Sequence, residues 1–288
     1  MLESARYLRP KDLGQALIMA GRFEPRLMAG GTDFYPALAD RRVEGDVLDL
    51  SAVSELREII RLQRGGAHFL RIGAMVSWSD VLRHPELASR GFLALRQCAK
   101  EIGGQQIQNR ATLVGNVCNA SPAADGIPVL MALGANLEIR SSEARRWMTL
   151  ESFVEGARKV ALAPGEIVTA IELPLVAAPV NSLFLKMGSR RYLVISITML
   201  AAQWRRGKKG WCRIAVGACS PMARRLEPLE TWYMEGMPEA KKAKALEASL
   251  NLLSPISDVR ADQVCRHDLA AALCEKLVLE MMAEAAYG

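Results

Sequence analysis

Apolar residues along this chain recur in two rhythms. Near the start, Leu13, Leu17 and Ala20 repeat at helical spacing behind Pro10, which predicts a helix over residues 11–19 stopped by Gly21. Two short apolar runs follow, residues 26–29 and 47–50, and read as strands. Ile59-Ile60 and the run 69–72, separated by Gly65-Gly66, predict a hairpin. Ser77 with Asp80 resembles a capping box with Asp in place of Glu, opening a helix that ends near His84-Pro85. A second helix is expected over residues 93–102, before Gly103-Gly104. An apolar helix follows at 127–133, then a strand at 137–140 and a short helix behind Thr149. An alternating run at 167–173 ends at Pro174.

Residues 175–181 look like a linker, after which the rhythm changes. Residues 184–187, 196–204 and 211–218 read as a meander, followed by helices over 239–252 and from about 268 to Tyr287. The last helix carries Leu269, Leu273, Leu277 and Met281 four apart, as packing on a sheet requires. The expected class is α+β with a break near residue 176.

Composition narrows the chemistry. Of the 288 residues, 50% are hydrophobic and 24% charged, which excludes disordered and fibrous classes. The longest apolar runs, 127–137 and 194–202, fall short of the roughly 20 residues of a membrane span. The first residues lack the apolar core of a secretory signal, so a cytoplasmic location is expected. The net charge of +6 comes from scattered doublets such as Arg41-Arg42 and Arg145-Arg146, without interleaved aromatics. No nucleic-acid groove is therefore expected. Six cysteines without C-x-x-C spacing and three isolated histidines offer no metal-ligand set.

The candidate chemistry lies in two glycine segments about 80 residues apart. One reads Met28-Ala29-Gly30-Gly31-Thr32-Asp33, the other Ala111-Thr112-Leu113-Val114-Gly115-Asn116. Glycine permits positive φ and close backbone approach, so N–H groups can converge on an anion. Thr32, Thr112 and Asn116 add side-chain donors, and two such loops facing each other could clamp a pyrophosphate without a lysine or a metal. The bland alternative is a pair of tight turns after buried strands. Neither segment is a G-x-G-x-x-G or P-loop motif. The second runs on through small residues to Ala120-Ser121-Pro122-Ala123-Ala124-Asp125, which would let a ligand lie close to the backbone.

With these segments in view, the chain resembles the FAD-binding (medium) subunit family of molybdenum hydroxylases, of the xanthine dehydrogenase and carbon monoxide dehydrogenase types. The family's A-G-G-T/Q-D/S loop matches Ala29 to Asp33. Its second flavin loop matches Ile107 to Asn116 and Ala120 to Asp125. Arg71-Ile72-Gly73-Ala74, Gly165-Glu166-Ile167-Val168 with Ile171, Leu173 and Pro174, and Phe184, Lys186 and Arg190 match further elements in the same order.

The resemblance implies a vanillyl-alcohol-oxidase-like FAD-binding fold of two α/β subdomains, about 1–55 and 56–175. A C-terminal sheet-plus-helices domain would follow over 180–288. It implies non-covalent FAD, with Met28, Ala29, Gly30, Gly31, Thr32, Asp33, Thr112, Gly115 and Asn116 around the pyrophosphate. Asp125 would meet the ribose or adenine side, and Lys186 would lie near the isoalloxazine ring. The implied role is electron transfer from [2Fe-2S] clusters of a small partner subunit to NAD, a quinone or another acceptor. Hydroxylation would take place on a large molybdopterin subunit, and no catalytic residue is assigned to this chain.

Departures from the family pattern keep two alternatives in play: a flavin-free scaffold of the same fold, and a self-contained flavin oxidase. Val114 stands where a glycine is usual and Gln108 where an arginine is usual. Tyr192-Leu193 replace an acidic residue, and Ile102 occupies the place of a stacking aromatic.

Overall fold

The computed structural model describes residues 5–177, 179–207 and 210–286. Its architecture is α+β, with three main sheets in chain order. The first contains β1 (Tyr7–Leu8), β2 (Arg26–Met28) and β3 (Val47–Asp49), all parallel, with β3 in the centre. Between β1 and β2 runs α1 (Leu13–Phe23), capped by Asp12, whose carboxylate accepts the Gln15 N–H at 2.8 Å. Leu13, Ala16, Leu17 and Ala20 face the core. The helix continues through Gly21, the expected stop, and ends at Glu24 in the left-handed region (φ 44°). Gly21 serves packing instead: a Cβ on Gly165 would sit 3.0 Å from its Cα, so two backbones meet there. Between β2 and β3 lies α2 (Phe34–Leu38), which buries none of its residues.

The second sheet is antiparallel. β4 (Ile59–Arg64) and β5 (Ala67–Gly73) form the expected hairpin, turning through Gly65 (φ 56°) and Gly66 (φ 79°). Five helices follow: α3 (Trp78–Arg83), α4 (Leu93–Glu101), α5 (Gln105–Arg110), α6 (Leu113–Asn119) and α7 (Gly126–Ala132). The capping box of Ser77 and Asp80 forms at the start of α3. Next come β6 (Asn136–Arg140), β7 (Arg145–Thr149), α8 (Leu150–Phe153), the small hairpin of β8 (Val154–Gly156) and β9 (Lys159–Val160), and β10 (Ile167–Pro174). The strand order is β4-β5-β10-β6-β7.

Two carboxylates are buried within this sheet, Glu138 and Glu172. Arg64 binds Glu172 at 2.6 Å while its guanidinium lies over Trp147 at 4.4 Å. Arg71, Arg145 and Thr169 converge on Glu138. Burial alone would raise the Glu138 carboxyl, but these hydrogen bonds outweigh it and hold it at about 2.

The third sheet is an antiparallel meander of β11 (Asn181–Met187), β12 (Thr198–Arg205), β13 (Trp211–Gly217) and β14 (Arg224–Arg225). Helices α9 (Glu227–Met234), α10 (Glu239–Leu250) and α11 (Gln263–Ala286) complete the chain. The expected end of the last helix at Tyr287, and Ala178 of the expected linker, lie outside the described residues.

The meander is packed on both faces. In β12, Met199 and Ala201 join the core shared with α4 and α7, while Leu200, Ala202 and Trp204 join a second core with α9 and α11. Its period of two thus serves two cores at once.

Candidate functional site

Both glycine segments line one cleft of about 690 Å³. This falls within the roughly 300–1,000 Å³ of small-molecule and cofactor sites. The first segment leaves β2 at the buried Met28 and turns through Ala29, Gly30, Gly31, Thr32 and Asp33 into α2. Gly31 lies at φ +78°, and its carbonyl accepts the Tyr35 N–H at 3.2 Å. Gly30 is pressed against the α5–α6 junction: a Cβ there would fall 1.9 Å from the Arg110 carbonyl oxygen. The two segments therefore touch backbone to backbone, a contact that only glycine permits.

The second segment is a helix start rather than a loop. Thr112 is the N-cap of α6, and its Oγ1 accepts the Gly115 N–H at 2.9 Å. A Cβ on Gly115 would sit 2.8 Å from that oxygen, so the glycine keeps the cap open. The junction is stitched to the start of α3 by Leu113 N–H to the Val76 carbonyl and Trp78 N–H to the Ala111 carbonyl, at 3.2 and 3.1 Å. Asn116 Oδ1 accepts the Gly126 N–H at 3.2 Å, which leaves its amide NH2 as a donor. The Thr112 hydroxyl likewise keeps its own proton to donate. Val114 belongs to the core at 4% exposed and also lines the cleft.

Nine of the eleven expected residues line this cleft: Met28, Ala29, Gly30, Gly31, Thr32, Asp33, Thr112, Gly115 and Asn116. Among the described lining residues the charged ones are Arg26 and Asp33. An anion here would depend on N–H and O–H donors more than on ion pairs.

The other two residues depart from the expectation. Asp125 and Lys186 do not line the cleft but bind each other at 2.7 Å, with side chains 5% and 8% exposed. The second Asp125 oxygen accepts the Ser196 hydroxyl at 2.5 Å. Burial pushes the Asp125 carboxyl up, and the Lys186 ammonium and the Ser196 hydroxyl offset this only in part. Each Asp125 oxygen thus has a protein partner, Lys186 on one and Ser196 on the other.

The sequence reading missed much of the apolar lining. Val160, Leu162, Ile167 and Val168 line it, as do Ile102, Gly103, Ile107 and Ile195. These sit at strand and helix ends, where no local pattern marks a cavity wall. Cys118 also lines the cleft, its thiol pushed up to about 12 by burial.

Residues 3–176 match the family described as the FAD binding domain in molybdopterin dehydrogenase. The chain is 29% identical to the putative xanthine dehydrogenase FAD-binding subunit of Escherichia coli (strain K12), over 99% of this chain and 98% of the relative. Its fold is similar to a chain of quinoline 2-oxidoreductase from Pseudomonas putida 86, with a TM-score of 0.85, 28% identity and 99% of each chain covered. It also resembles a chain of the carbon monoxide dehydrogenase of Hydrogenophaga pseudoflava, with a TM-score of 0.85, 25% identity and 96% of each chain covered. A cleft walled by two glycine segments, set in a chain similar to these proteins along nearly its whole length, places the protein in the family of FAD-binding domains of molybdopterin dehydrogenases, as an oxidoreductase subunit.

Proposed function

We propose that the cleft between the first two sheets holds FAD non-covalently and that the chain carries electrons within a heteromeric molybdopterin enzyme. The observation that carries this reading is the contact of Gly30 with Arg110, which brings the two donor segments together in one cleft. FAD would supply exchange of one or two electrons; the chain's residues bind, orient and exclude water. Gly30, Gly31, Thr112 and Asn116 face the pyrophosphate, and the apolar lining encloses the rings. On this reading residues 1–175 are the FAD-binding part, divided near residue 55, and residues 180–288 are the C-terminal part.

Electrons come from [2Fe-2S] clusters on a small subunit and leave to NAD, a quinone or another acceptor, while a large molybdopterin subunit oxidises the substrate. The cytoplasm is the proposed location; among the described residues no helix is long and apolar enough to cross a membrane.

The test is the visible flavin absorption band of the purified chain and its stoichiometry. A colourless chain that takes up no added FAD would point to a scaffold. Flavin reduced by a purine or aldehyde in the isolated chain would point to a self-contained oxidase.

A further inference from the structure

The buried cluster of Asp125, Lys186 and Ser196 touches the cleft at one remove on three sides. Asp125 immediately precedes Gly126, whose N–H is held by the cleft residue Asn116. Ser196 immediately follows Ile195, a cleft residue contributed by the C-terminal part. Lys186 comes from β11, and its Nζ also reaches the Glu101 carbonyl at 3.5 Å, next to the cleft residues Ile102 and Gly103.

A second cavity of about 510 Å³ is lined by Lys186 and Val194 among others, so the neighbours Val194 and Ile195 line different spaces. Little of this segment is held by apolar packing, because Leu193 and Ile195 are 59% and 52% exposed. Its path is instead fixed by polar groups. Leu193 adopts φ +51°, with its carbonyl bound by the Arg190 guanidinium, and Ser196 is anchored on Asp125.

A buried ion pair contributes little net stability compared with apolar residues of the same volume. Its directional bonds, however, fix where the attached chains run. We propose that Asp125, Lys186 and Ser196 are positioning residues: they fix where Ile195 stands in the cleft lining it shares with Ile102 and Asn116, and so shape the part of the cleft that receives the isoalloxazine ring. The inference rests on the FAD reading above. In it, Asp125 and Lys186 act on the flavin through Ile195 and Asn116 and not by contact.

The experiment uses the full chain with FAD, in the wild type and in Ser196→Ala, Ser196→Thr and Asp125→Asn. Three quantities are read: the FAD dissociation constant, the visible circular dichroism of the bound flavin, and the thermal midpoint of the apo chain. Ser196→Ala is expected to weaken FAD roughly three- to tenfold and to change the visible signal, because Ile195, next to Ser196, loses its fixed position in the cleft lining. The apo midpoint should fall as well, because the buried Asp125 loses a partner with or without FAD; the visible signal is therefore the deciding readout, and Ser196→Thr should restore both flavin readouts. Asp125→Asn should change the visible signal in the same direction. An apo midpoint that falls while the visible signal of bound FAD stays unchanged would show a purely structural cluster and overturn the proposal. So would unchanged affinity and spectrum in Ser196→Ala. A wild-type chain that takes up no FAD would instead defeat the FAD reading, and the proposal with it.

Discussion

Gly30 and Arg110 meet backbone to backbone across the cleft floor, with room for no Cβ on the glycine: that atom would lie 1.9 Å from the Arg110 carbonyl oxygen. Gly30→Ala must therefore push the first sheet's loop away from the α5–α6 junction. Overpacking of this kind costs about 1–3 kcal/mol. The expected result is a lower thermal midpoint together with at least tenfold weaker FAD binding, read by flavin fluorescence titration. FAD affinity equal to the wild type would show that the contact does not shape the site.

Gly31 separates strain from clash. Its φ of +78° disfavours any side chain, and a Cβ would also come within 2.9 Å of the Tyr35 ring. Gly31→Val should abolish FAD retention through purification while the far-ultraviolet circular dichroism keeps its wild-type shape. Stoichiometric FAD in the purified variant would remove the loop from the site.

Asn116 has two tasks that a single substitution can divide. Asn116→Asp keeps an oxygen for the Gly126 N–H but replaces the donor amide with a charge that repels a phosphate. Apo stability should remain close to wild type while FAD binding weakens by tenfold or more, about 1.4 kcal/mol. Parallel loss of both in thermal melts and titrations would make Asn116 a turn residue only.

Glu138 sets an acid limit on the fold. Its folded carboxyl sits at about 2, below the unfolded value of 4.5, so its contribution is fully present above about pH 4.5. That contribution falls away as the pH drops through about 2. The shift corresponds to roughly 3 kcal/mol. In urea titrations the gap between wild type and Glu138→Gln should be widest at neutral pH and narrow steadily below pH 4.5. A gap independent of pH would mean that the arginines do not hold the carboxylate ionised.

Thiol reactivity offers a check on the cleft. Cys265 is the exposed cysteine, whereas the Cys118 thiol is pushed up to about 12 by burial in the cleft wall. A maleimide should label Cys265 quickly and Cys118 slowly, and FAD should slow Cys118 further. Mass spectrometry of the labelled peptides would decide it; rapid FAD-independent labelling of Cys118 would contradict the lining.

The glycine segments were legible because glycine is itself the signal: Gly31 needs its φ and Gly30 its missing Cβ. The same holds for Ser77 with Asp80, a cap written in adjacent residues. What escaped the sequence reading was relational. Helix α5 is a single polar turn, Gln105–Arg110, with little apolar rhythm, and Thr112 behind it reads equally as a loop residue. The pairing of Asp125 with Lys186 spans 61 positions and depends on how β11 meets α7, so matching each residue separately to a ligand contact missed that they meet each other. Ile195 and Ile167 show no pattern as lining residues, because a cavity wall is defined by what stands opposite.

Strand β12 carries a last implication, for inheritance. Neighbouring residues of this strand belong to opposite cores, Leu200 to one and Ala201 to the other. An insertion or deletion of one residue inside it would reverse both assignments together. Length variation among descendants of this chain should therefore gather in connections such as the one between β12 and β13. The meander cannot be exchanged as a detachable cassette, because Met199 and Ala201 of its sheet share a core with α4 and α7.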